Sequence, residues 1–181
     1  MTIDRLDKHY RLTARQWFPK PRDEVFAFFA DANNLGTITP PHLHFTITST
    51  HPLEMREGLL IDYRIRLRGI PIRWRTEITM WTPNVRFMDR QLRGPYQQWE
   101  HEHRFLDRDG GTLMIDVVDY RMLFGFVVHP LLVKHDLRGI FQYRYDTMAD
   151  RFGGRGRESD FPETDDEVLP EPEATAAAAS P

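Results

Sequence analysis

Cysteine is absent from the 181 residues, which removes disulfides, thiolate metal sites and cysteine nucleophiles together. Long apolar runs are missing too. Nothing approaches the roughly 20 residues of a membrane-spanning helix, and the opening MTIDRLDKHYRL has no apolar stretch of the kind a secretion signal carries. A cytoplasmic chain is the expectation. No glycine-rich phosphate loop, serine elbow or Ser–His–Asp order occurs, so phosphoryl transfer and hydrolysis are not indicated. A strong basic excess is also lacking, since the part before the tail is only mildly basic, and with no recognition motif present nucleic acid is not an expected partner.

What is there is one domain's length of ordinary globular composition, 40% hydrophobic and 28% charged. The net charge of −3 is unevenly spread. From Gly153 onward two arginines face eight acidic residues, in a Pro-, Glu- and Ala-rich stretch with almost nothing to bury. That composition predicts a disordered acidic tail over residues 153–181 and a folded domain over residues 8–152.

Within the domain, HYRLTARQW (9–17) alternates loosely as a first strand. PRDEVFAFFADANNL (21–35) follows with Val25, Phe26 and Phe29 at helical spacing, and ANNLGTITPP reads as a second short helix stopped by prolines. Strand patterns then succeed one another over about 43–50, 59–68, 70–81, 85–92, 96–107 and 111–121, broken by hairpin turn chemistry at RG, TPN, RGP and RDGG. Leu59, Ile61, Tyr63, Ile65 and Leu67 share one face, as do Ile70, Ile72, Trp74, Ile78 and Met80 on the next strand. The result is an antiparallel sheet with one buried side. Residues 130–152 close the chain as a long helix, its stripe formed by Val133, Leu137, Ile140, Phe141, Met148 and Phe152. A curled meander needs its apolar face covered. Laying the last helix across it gives an α+β helix-grip fold: about seven curved antiparallel strands wrapped on a long C-terminal helix, two short helices after the first strand, and a space between sheet and helix.

The stretch QQWEHEHRF (97–105) is the unusual one. Alternation puts Trp99, His101, His103 and Phe105 on one side, so two histidines travel with the aromatics about 7 Å apart along the strand. The preceding strand offers Phe87, Asp89 and Gln91 with the same period. Tyr63, Trp74, Phe87, Trp99 and Phe105 then read either as core or as the wall of a pocket. An H-x-H with a nearby carboxylate can hold a metal, but the offset along the strand is large and no further histidine obviously joins. His129 and His135 lie on or before the last helix without a clear facing. No metal and no cofactor are therefore assigned.

VFAFFADANNLGTITPP, GPYQQWEHEHRF, DVVDY and IFQYR resemble segments of the ligand-binding SRPBCC proteins of the START/polyketide cyclase-dehydrase superfamily, in the same element order over about residues 8–152. The resemblance implies a helix-grip domain with an internal cavity. Relatives bind lipids, sterols, quinones or plant hormones, and some cyclise or dehydrate polyketides. It also implies that Asp116 and Tyr120 face inward on strand 111–121, where hydrophobicity alone would choose Leu113, Ile115 and Val117. The leading expectation is non-catalytic binding of a small hydrophobic ligand by Tyr63, Trp74, Phe87, Asp89, Gln91, Trp99, His101, His103, Phe105, Asp116 and Tyr120. The alternative is a cyclase or dehydratase using His101, His103, Asp89 and Asp116 for acid–base chemistry. A third is an interaction module using the acidic tail and Arg64, Arg66, Arg68, Arg73 and Arg75 on the outer hairpin, the arginines meeting an anionic partner, either a membrane surface or the chain's own tail as a weak lid.

Overall fold

Positive φ angles at Arg68 and Gly69 (51° and 81°) and at Asp109 and Gly110 (49° and 74°) mark two-residue turns of the kind that match strand twist. The first joins β4 (Leu60–Leu67) to β5 (Ile70–Thr82), and the second joins β7 (Gln98–Arg108) to β8 (Gly111–Arg121). The computed structural model describes residues 1–50, 53–122 and 132–154. The tail from residue 155 and the stretch 123–131, with His129, lie outside the described residues.

With β1 (Thr2–Arg5), β2 (Tyr10–Phe18), β3 (Thr46–Ile47) and β6 (Arg86–Arg93), eight strands form one sheet in the order β1-β2-β8-β7-β6-β5-β4-β3. All its pairings are antiparallel. The fold is the helix-grip α+β type, with one strand more than the sequence reading. The added strand, TIDR, is short and polar and shows no alternation, so only its backbone pairing with Leu12 and its neighbours reveals it. It starts the sheet before residue 8. The stretch 43–50 yields only Thr46–Ile47, because Pro41–Leu43 forms a 3₁₀ turn and His44 then takes a left-handed conformation with φ 46°. Ile70, expected on the buried face, sits at the hairpin tip and is 66% exposed.

Helix α1 (Arg22–Phe29) ends sooner than its pattern suggests. The Asp31 side chain accepts from the Asn33 backbone N–H at 2.9 Å and starts a 3₁₀ turn over Ala32–Gly36, a local bond that competes with helix continuation. Its phenylalanines pack on the sheet, with Phe26 5.2 Å from the Phe105 ring and Phe29 5.6 Å from it. Helix α2 (Lys134–Phe152) buries Leu137, Phe141, Met148, Ala149 and Phe152. Gly139 lies inside it with open space where a Cβ would go. Gly139→Ala is expected to raise stability by about 0.5–1 kcal/mol in urea denaturation, since glycine loses more backbone freedom in a helix.

Both faces of β8 are buried, which explains its ambiguous sequence. Leu113 and Ile115 are 0% and 1% exposed, and Asp116 on the other face is 6% exposed. On the convex side, Ile115 and Val117 line a pocket together with Arg11, Arg15 and Arg104. Arginine stems can cover apolar sheet surface while their heads stay wet. Those heads find acids: Arg11 grips Asp119 through two bonds of 2.8 and 2.6 Å, and Arg104 reaches Glu102 at 2.7 Å.

Candidate functional site

Between the concave face and α2 lies a cavity of about 190 Å³. Tyr63, Trp74, Phe87, Asp89, Trp99, His101 and His103 line it, opposite Leu137, Phe141 and Arg144 of α2. Strand register brings these groups together: Asp89 pairs with His101, Phe87 with His103, and Tyr63 with Trp74. Tyr63 and Trp74 stack at 5.8 Å, and Trp74 meets Trp99 edge-on at 5.6 Å. The other expected residues stand elsewhere. Phe105 is in the core under α1. Tyr120 is fully buried and stacks on Tyr10. Gln91 holds the loop between β6 and β7 through the Tyr96 backbone, donating to its carbonyl at 2.7 Å and accepting from its N–H at 3.3 Å.

The two histidines are closer than their spacing along the strand suggests, with ring centroids 3.9 Å apart. Asp116 lies behind them. Its Oδ1 is 3.0 Å from His101 Nε2 and 2.7 Å from His103 Nδ1. On the cavity side, Asp89 Oδ2 faces the remaining ring nitrogens, 3.7 Å from His101 Nδ1 and 3.5 Å from His103 Nε2. The inner contacts are hydrogen bonds, and the outer ones lie at or beyond the limit of one. His103 also stacks on Phe87 at 4.2 Å.

Burial and charge set the titration of this group. Burial, followed by the charge of His103, lowers the pKa of His101, against the opposing pull of Asp116. Burial opposes charging His103 as well, but the charge and bond of Asp116 outweigh it and raise its pKa. Burial would raise the Asp116 pKa, yet Arg144, His103 and the two imidazole bonds hold it well below the ordinary carboxylate range. The pair therefore divides its roles: His103, closer to Asp116, takes a proton more readily than His101. Tyr63 is raised well above an ordinary phenol, first by burial and then by the charge of Asp89.

Arg144 is a charged site residue that the sequence reading left out, along with the apolar Leu137 and Phe141. Its Nη2 lies 3.5 Å from Asp116 Oδ1 and 3.3 Å from His103 Nδ1, and its guanidinium sits 5.1 Å from the Phe29 ring centre. The signal was available. Leu137, Phe141, Arg144 and Met148 follow i, i+4, i+7, i+11, so a charged residue stands in the buried stripe. His135, by contrast, is exposed on α2. The hairpin arginines are partly spoken for: Arg75 makes two 2.8 Å bonds to Asp62, and Arg68 bonds Asp136 at 3.0 and 2.9 Å, tying the hairpin tip to the start of α2.

The fold and its enclosed polar cluster place the chain among helix-grip proteins. The profile of the family described as polyketide cyclase / dehydrase and lipid transport matches residues 18–146. The chain belongs to that family, whose description supports a ligand-binding role in general. No curated protein sequence matches it. Among solved structures, CV1439 from Chromobacterium violaceum superposes with a TM-score of 0.62 at 12% identity, covering 79% of this chain and 96% of that one. The ginseng major latex-like protein 151 from Panax ginseng gives 0.60 at 10% identity, covering 81% and 99%. TTHA0849 from Thermus thermophilus gives 0.55 at 16% identity, covering 78% and 98%. These likenesses concern the fold. No helix among the described residues is long and apolar enough to cross a membrane.

Proposed function

We propose that the protein binds a compact, oxygen-bearing hydrophobic molecule, quinone- or aromatic polyketide-like, between the sheet and α2. The carrying observation is a mostly apolar cavity whose lining brings Asp89, His101, His103 and Arg144 close to one another. Apolar pockets use a few such groups to fix a ligand's orientation. Size supports a ring compound over a lipid chain: an apolar space of about 150 Å³ accommodates benzene, and this one is about 190 Å³.

Calorimetric titration with 2-methyl-1,4-naphthoquinone tests the reading, alongside native mass spectrometry of the protein as purified. One equivalent is expected to bind, quenching Trp74 and Trp99. Ile65→Trp, which fills the cavity from β4, is expected to weaken binding at least about tenfold, or about 1.4 kcal/mol. Absence of any bound molecule as purified, together with no uptake of the quinone or of 1-naphthol, would sink the proposal.

The paired histidines favour a second reading, a cyclase or dehydratase in which His103 moves a proton and Asp116 orients it. Under that reading His103→Gln abolishes turnover of an aromatic polyketide substrate while leaving its binding nearly intact. Under the binding reading affinity falls and there is no turnover to lose.

A further inference from the structure

Two imidazoles and a carboxylate converge on the cavity side of the cluster without closing on one another. One ligand atom from each of Asp89, His101 and His103 lies within 4.8 Å of the other two, and the ring nitrogens nearest Asp89 Oδ2 are His101 Nδ1 and His103 Nε2. The distances from Asp89, 3.7 and 3.5 Å, are long for hydrogen bonds. They suit three ligands around one ion. Donor atoms about 2.0–2.1 Å from a tetrahedral zinc lie about 3.3–3.4 Å from each other, so these two contacts need to shorten by only a few tenths of an ångström.

The surroundings are those of a metal site as well. A ligating histidine commonly gives its other N–H to a carboxylate, which fixes tautomer and ring orientation. Asp116 does this for both rings at once, at 3.0 and 2.7 Å. In the neutral rings the protons then sit on the Asp116 side, and the lone pairs of His101 Nδ1 and His103 Nε2 face Asp89. Phe87, stacked on His103, and the Asp116 bonds hold both rings in place. Arg144 stands against Asp116, leaving Asp89 as the anionic ligand. His101 and His103 are 7% and 5% exposed, and all three ligands line the cavity while Asp116 does not.

We propose that Asp89, His101 and His103 bind one divalent first-row transition-metal ion of the zinc or iron(II) type, with Asp116 as their shared hydrogen-bond acceptor. Two histidines and one carboxylate with positions left open is a donor set suited to those ions. The open positions face the apolar cavity, where the ion takes an oxygen atom of a bound molecule beside Arg144. The seven-ångström offset that counted against a metal in the sequence disappears because the side chains lean together.

The test uses the full chain, stripped with EDTA, dialysed and titrated with zinc chloride by calorimetry and with cobalt chloride by visible absorption. One equivalent of each is expected to bind. Asp89→Asn, nearly isosteric and on the cavity side, and His103→Gln are each expected to lower affinity at least about tenfold. The exposed pair His42→Gln/His44→Gln is expected to leave it unchanged. If His103→Gln fails to fold, Asp89→Asn decides alone. No uptake by the stripped protein, undiminished uptake in Asp89→Asn, or loss confined to the His42/His44 variant overturns the proposal. Zinc binding without quinone binding leaves this site standing and removes the ligand reading, so the two fail separately.

Discussion

Replacing Asp116 by alanine is expected to cost about 3–5 kcal/mol of folding stability, the range for stripping one partner from a buried ionic cluster. The carboxylate is 6% exposed and is the acceptor for two imidazole nitrogens, with the Arg144 guanidinium 3.5 Å away. Its loss leaves a half-buried cation and two buried rings without that acceptor. Against a typical total of about 5–15 kcal/mol, the melting temperature should fall by roughly 10 °C. Asp116→Asn keeps the shape and one acceptor oxygen, so about 1–3 kcal/mol is expected. The cause can be isolated by a cycle with Arg144→Met. Because the two groups share one network, the double variant should lose less than the two single losses added, by about 0.5–3 kcal/mol. A loss under 1 kcal/mol for Asp116→Ala, or strict additivity, would show that the carboxylate is not the hub of the cluster.

That hub marks where sequence reading stops. Period-two patterning finds most of the inner face of β4 through β7, because the other side carries mainly charged, wetter residues. That alternation alone groups Trp74, Phe87, Trp99, His101 and His103. On β8 the signal cancels: Leu113 and Ile115 are buried on the convex side, while Asp116 and Tyr120 are buried on the concave side. Only the family resemblance picked the inner set. Register explains the remaining differences. Gln91 alternates with Asp89, yet the β5–β6 register shifts at Arg75/Thr76 and at Ile78/Met80, and the Gln91 side chain bonds the Tyr96 backbone instead. Ile70 belongs to the apolar face by parity but projects past the end of the sheet. Side-chain lean is likewise invisible to a strand pattern, which is why two histidines one pleat apart could bring their rings within 3.9 Å of each other.

Phe105 separates core from pocket within that same pattern, and its truncation is the second large effect. Phe105→Ala is expected to cost about 3–5 kcal/mol. The side chain is 0% exposed and touches Phe26 and Phe29 of α1, with its ring 6.2 Å from Phe87. Removing it opens a hole that α1 can fill only by moving against the sheet. Trp99→Ala removes a larger ring, but that ring borders the existing cavity, so part of its contact surface is already empty and the cost should be smaller. The two variants therefore order oppositely in stability and in binding. Phe105→Ala should shift the urea midpoint strongly with an unchanged slope, and naphthoquinone affinity should change little in the protein that remains folded. Trp99→Ala should shift the midpoint less and weaken the quinone more. The reverse order would place the ligand under α1 rather than against the histidine wall, and the cavity facing α2 would lose its claim to be the binding site.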